Sequence, residues 1–153
     1  MVAMFLLAGA GCGVLWHAWW APPPTGVVVD GTVYFRPDAE FAGTGQYLVV
    51  AGVAGLLLGL VVTYLLERDE LVTLAACLLG AMAAGLLMAW VGHQLGPESA
   101  EAVAARTADF EEIPGDLHAG PASAYLAFPA GTLLGAVIVL LSVTRHPEPA
   151  HDR

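Results

Sequence analysis

Hydrophobic residues along this chain gather into four long blocks that run almost unbroken, with the polar residues collected in the segments between them. The central two, Gln46 to Leu66 and Leu71 to Gly92, contain no charged side chain. Each exceeds the roughly 20 residues that a helix rising about 1.5 Å per residue needs to cross a hydrocarbon core of about 30 Å. A soluble helix of such length would show a polar face, and neither block has one. The pattern predicts a transmembrane hairpin closed by the tight connection Glu67-Arg68-Asp69-Glu70. Met1 to Ala21 and Tyr125 to Thr144 complete the set, with Pro129 expected to loosen the first turns of the last helix.

The polar segments predict smaller elements. Pro22-Pro23-Pro24 ends the first helix, because proline lacks the amide donor and clashes with the preceding turn. Val27-Val28-Val29 and Thr32-Val33-Tyr34-Phe35 flank Asp30-Gly31, a hairpin signal, since a type I′ turn needs positive φ at both central positions. Arg36-Pro37-Asp38 ends the hairpin, and Glu40 to Gly45 leads into the second span. In the later segment Pro97 is placed to open a helix over Glu98 to Arg106, followed by an irregular acidic stretch with one short strand around Phe110 to Ile113. An isolated two-stranded hairpin is marginal in water and its bare edges invite pairing. The two long loops are therefore expected to fold together into one sheet-and-helix cap over the span ends.

The expected fold is thus all-α membrane: a four-transmembrane-helix bundle with a small extracytoplasmic β-hairpin and helix cap. It forms a single integral membrane domain over 1–144, with spans near 1–21, 46–66, 71–92 and 125–144, outer loops 22–45 and 93–124, and a disordered cytoplasmic tail over 145–153.

Composition agrees with this. Hydrophobic residues make up 58% of the chain and charged residues 12%, whereas about a quarter of a soluble domain is charged. The net charge of −9 arises from 14 acids against five arginines, with no lysine, which argues against nucleic-acid and polybasic lipid contacts. Cys12 and Cys77 lie in separate apolar blocks and read as buried small hydrophobes. The first block lacks the basic cluster of a secretory signal and ends in tryptophans where a cleavage site has small residues, so it reads as an uncleaved span. Gly9 stands three before Cys12, where a lipoprotein acylation site usually has a branched aliphatic.

Orientation follows from arginines and aromatics. Arg68, Arg145 and Arg153 belong to the short connection and tail, Arg36 and Arg106 to the longer loops, so the positive-inside bias places both termini in the cytoplasm of a multi-pass plasma-membrane protein. Trp16, Trp19, Trp20, Tyr47, Trp90 and Tyr125 all fall near the long loops and are expected as interfacial anchors at headgroup level, against Tyr64 alone at the opposite end.

Helices in a bilayer associate by close packing, and small residues four apart let backbones approach. Gly9 and Gly13, Gly55 and Gly59, Ala81, Gly85 and Ala89, and Ala127, Gly131 and Gly135 give every span such a stripe. Packing within the monomer is the primary expectation and self-association the alternative.

Chemistry is sparse. Thr63, Thr73, Thr132 and Ser142 can bond to their own helix carbonyls, and no Asp, Glu, Lys or Arg lies mid-span, which argues against a proton relay. His17 and His93, with His118 as a third, could ligate a metal or haem, but unpaired interfacial histidines are the favoured reading. The acids Glu98, Glu101, Asp109, Glu111, Glu112 and Asp116 lack a calcium-loop register and read as a solvated face. Ser99, Ser123 and Ser142 have no nucleophile motif, and no phosphate loop occurs. No enzyme activity, cofactor or metal is expected.

The Trp-rich first span, the proline break, Val27-Val28-Val29 with Asp30-Gly31 and Tyr34-Phe35, Glu40-Phe41, Gly45, and the ending Ala89-Trp90-Val91-Gly92-His93-Gln94-Leu95-Gly96-Pro97 resemble a family of small four-span actinobacterial integral membrane proteins of unknown function. The resemblance implies four spans and no established activity. Such families usually place arginines in the connection between the second and third spans, where this chain has three acids in four residues. The expected role is a structural or accessory component of a cell-envelope complex, with the lipid bilayer and a membrane-protein partner or a second copy as contacts. The alternative is a small oligomeric transporter or channel subunit.

Overall fold

A computed structural model describes residues 2–65 and 70–144. Its four long helices are α1 (Val2–Trp20), α2 (Pro37–Leu65), α3 (Glu70–Leu95) and α5 (Ala127–Thr144). All four are long and apolar enough to cross a membrane. Between them stand β1 (Thr25–Val29), β2 (Thr32–Tyr34), the short helix α4 (Ala100–Ala104), β3 (Glu112–Pro114) and a 3-10 turn over Ala122–Leu126. Leu7, Leu57, Leu79, Leu86 and Leu134 are all more than half exposed, so the outward faces of the bundle are as apolar as its interior. Such a surface is stable only where the surroundings are apolar too.

The helix that leads to the centre begins nearer the amino end than the apolar pattern predicts. α2 starts at Pro37, so Asp38 to Gly45 is helical and not a loop leading into a span. Proline at the first helical position gives up an amide that has no partner there, and the acid Asp38 in the first turn complements the amino-terminal dipole. The helix expected over Glu98 to Arg106 contracts to the five residues of α4. The last helix is preceded by the 3-10 turn, with Pro129 three residues into α5, where its missing donor costs little. The Glu67 to Asp69 connection and the 145–153 tail lie outside the described residues.

Helix pairing departs from chain order. The closest pairs are α2 with α5 and α1 with α3, and α2 and α3, consecutive in the chain, touch far less. The expected hairpin of the central blocks is therefore not the packing unit. A Cβ built on Gly9 would lie 2.5 Å from the Ala84 carbonyl oxygen and one on Gly13 2.7 Å from that of Met88, while Trp16 covers Gly92. Positions rise together in both helices, so α1 and α3 run parallel. The same holds for α2 and α5, where Gly55 meets the Phe128 carbonyl, Gly59 that of Thr132, Gly131 that of Gly52 and Gly135 that of Leu56. Backbone so close to backbone leaves no room for any side chain and permits Cα–H···O contacts. α1 with α2 and α3 with α5 close the ring of four.

The long loops join in one sheet of order β2-β1-β3, antiparallel throughout. Asp30 and Gly31 have φ of 51° and 70°, the positive values that a type I′ turn requires. β1 pairs Val27 with Tyr34 on one side and with Glu112 on the other. β3 begins two residues later than the strand expected from Phe110, because Phe110 takes a φ of 69° and bends the chain. Its amide still donates to the Val28 carbonyl at 2.7 Å. α4 covers one face of the sheet, burying Val28 and Ile113 against Ala100 and Ala104.

Candidate functional site

Below this sheet an extended strap, residues 115–120, crosses the helix ends and fixes the geometry of a cleft. Its burial alternates, Gly115, Leu117 and Ala119 turning inward and Asp116, His118 and Gly120 less so, as a strand-like backbone with period two requires. Leu117 and Ala119 join the helix core beside Trp20. Hydrogen bonds from separate elements hold the strap. The Gly115 amide donates to the Pro24 carbonyl at 2.7 Å, and the Gly120 amide donates to Thr44 Oγ1 at 2.8 Å. His93 Nδ1 lies 3.1 Å from the Leu117 carbonyl. A carbonyl only accepts, so Nδ1 is the ring nitrogen that donates in this contact.

With Leu117 anchored inward, Asp116 and His118 face a cleft of about 580 Å³ between strap, sheet and the start of α2. Trp20, Phe35 and Phe41 supply aromatic surface there, and Glu101 a second carboxylate. Asp116 Oδ2 stands 3.5 Å from His118 Nδ1, and the Asp116 side chain is 20% exposed. It is the one half-buried carboxylate among the described acidic side chains, so the acidic segment is not uniformly a solvated face. Arg106, the cation nearest in sequence, is committed to an exposed ion pair with Glu98.

The six expected aromatic anchors divide. Trp19 and Trp90 are exposed and Tyr125 is half-buried, whereas Trp16, Trp20 and Tyr47 are core residues. The indole of Trp16 donates to the Gly43 carbonyl at 2.8 Å, and the Tyr47 hydroxyl donates to the Gly85 carbonyl at 2.8 Å. Trp16, Tyr47 and Tyr125 stack edge to face, with centroids 5.1 and 5.9 Å apart. Trp16 and Tyr47 turn inward where a carbonyl meets the polar ring atom that would otherwise seek the headgroup layer, that of Gly43 from the early turns of α2 and that of Gly85 from α3.

The expected small-residue stripes lie inside the bundle. Gly9, Gly13, Gly55, Gly59, Gly131 and Gly135 face neighbouring helices as described above, Gly85 faces Tyr47, Tyr125 and Phe128, and Ala81 is fully buried. Thr132 and Ser142 bond to the carbonyls of Phe128 and Ile138. The Thr63 hydroxyl does not follow that expectation, being buried without a hydrogen-bond partner among the described residues, as is Gln46 Oε1. His93 and His118 serve separate partners, and among the described residues no three or more His, Cys, Asp or Glu side chains gather to hold a metal. Cys12 and Cys77 are free thiols in the half-buried and buried bundle interior.

Comparisons with family models, with curated proteins and with solved structures found no match. The resemblance to small four-span actinobacterial proteins therefore gains no support from them, and function rests on the geometry alone.

Proposed function

We propose that this is a multi-pass plasma-membrane protein with both termini in the cytoplasm, acting as a structural or accessory subunit that docks a partner protein through its extracytoplasmic cap. The observation that carries this reading is the sheet, in which the two long loops merge with β1 at the centre. α4 covers one face, and the other presents the row Tyr34, Val27 and Glu112, with Tyr34 64% and Val27 37% exposed. The acids Asp30, Asp109 and Glu111, in the hairpin turn and in the segment leading into β3, are exposed as well. A partner with a basic surface centred on apolar side chains complements that pattern. The glycine stripes are the support for an oligomeric transporter subunit, and their use between helices of one chain leaves that alternative without it.

Purification of tagged full-length protein in mild detergent, with mass spectrometry of what accompanies it, tests the proposal. One basic membrane or envelope protein should co-purify and be lost on Tyr34→Asp, with the melting profile unchanged. Equal recovery with that variant would defeat the docking surface. A fluorescent reporter active only in the cytoplasm should be bright after Arg153 and dark when inserted near Ala104. The reverse pattern would overturn the orientation and leave the span count standing.

A further inference from the structure

We propose that the strap cleft is a binding site for an organic ammonium cation with an apolar body, whose charge sits at Asp116 and whose body lies against Phe35 and Phe41. This inference does not depend on the cap recruiting a partner. The size falls in the range of small-molecule sites, roughly 300–1,000 Å³. Its charged lining has one sign: Asp116 and Glu101 face it, and among the described residues lining it there is no arginine. Removing Asp116 from most of its water leaves its charge answered, among the described residues, by a contact of 3.5 Å to His118, itself 58% exposed. A half-buried carboxylate of this kind favours a cation that replaces lost hydration.

The apolar part of the lining points to the rest of the ligand. Phe41 is 71% exposed at the cleft while Phe35 packs on Gly26 and Gly115, so one ring is a fixed wall and the other an open one. Aromatic faces attract ammonium groups and apolar bodies alike. A bare metal ion would leave these rings unused, and among the described residues no three His, Cys, Asp or Glu side chains gather to hold one. The strap is pinned at Gly115, Leu117 and Gly120, so the carboxylate is placed before any ligand arrives, which lowers the ordering cost of binding. The same chemistry occurs in a free amphiphilic amine and in the headgroup of phosphatidylethanolamine.

The test uses full-length protein in nanodiscs of phosphatidylglycerol, titrated calorimetrically with phenylbutylammonium and with its neutral counterpart phenylbutanol, empty nanodiscs being subtracted. The ammonium compound should bind saturably and at least about tenfold more tightly than the alcohol. Asp116→Asn, which keeps the side-chain shape, should erase that preference, and Phe41→Ala should weaken binding of both probes. Glu112→Gln, on the far face of the sheet, should change neither. Repeating the titration with phosphatidylethanolamine in the nanodisc distinguishes the sources: competition identifies the lipid headgroup, and an unaltered isotherm identifies a free amine. Equal binding of amine and alcohol, or an Asp116→Asn protein that melts normally and retains the preference, would overturn the proposal.

Discussion

Substituting leucine for Gly59 is expected to destroy the folded bundle. A Cβ at this position would occupy the space of the Thr132 carbonyl, and the clash is with backbone that cannot rotate aside. Overpacking a yielding core costs about 1–3 kcal/mol, and here α2 and α5 must separate along a seam that also holds Gly55, Gly131 and Gly135. The cost should exceed about 3 kcal/mol, comparable with much of the net stability of a small domain. Thermal unfolding in detergent should show no cooperative transition for Gly59→Leu. Gly11→Ala and Gly52→Ala, where an added Cβ meets nothing within 4 Å, serve as the opposite case. They should be neutral or stabilising by up to about 1 kcal/mol, since glycine is the poorer helix former. A Gly59→Leu protein that melts like the parent would show that the α2–α5 seam is not where the bundle is held.

The second large effect belongs to the cap. Val28 is fully buried in the cluster with Ala100, Ala104 and Ile113, and Val28→Asp would place a carboxylate there with no partner. Burying an unpaired charge costs several kcal/mol, more than a three-stranded sheet with one short helix can absorb. The cap should open while the helices stay paired, because the α2–α5 and α1–α3 seams share no residue with the Val28 cluster. Hydrogen exchange would then rise at residues 108–114 to the level of a free loop and remain slow between Val50 and Val62. Val27→Asp, on the exposed face of the same strand, should leave both regions near their parent rates. Loss of protection along α2 as well would mean that cap and bundle form one cooperative unit.

What the sequence made legible follows from how local each signal is. Uninterrupted apolar blocks announce helices of spanning length without any knowledge of neighbours, and Asp30-Gly31 announces a turn because few other pairs accept φ of 51° and 70°. The joining of both loops in one sheet was also within reach, since an unpartnered hairpin edge had to be covered and one other loop of suitable length existed. Helix partners were not legible, because every block carries small residues at the same spacing and nothing local chooses among them. The burial of Trp16 and Tyr47 was hidden for a similar reason: an aromatic ring near a helix end belongs at an interface unless a carbonyl such as that of Gly43 or Gly85 meets it. The early start of α2 did have a signal, in Pro37 followed by Asp38 and Glu40, but Gly43 and Gly45 mimic a loop. The strap was missed because six residues of alternating burial between Pro114 and Pro121 are too short a run to register as a period.

The pairing of α2 with α5 also sets an order on synthesis. α1 receives its partner when α3 is complete, but the glycine face of α2 meets the carbonyls of Phe128 and Thr132 only after the last helix has been made. Contacts so distant along the chain close late, and surfaces awaiting them stay open to wrong partners in the interval. A chain that stops before Gly131 carries that groove uncovered, whereas one that includes α5 does not. Whether α5 has been made is therefore readable from the packing itself, as the presence or absence of an open seam on the second helix.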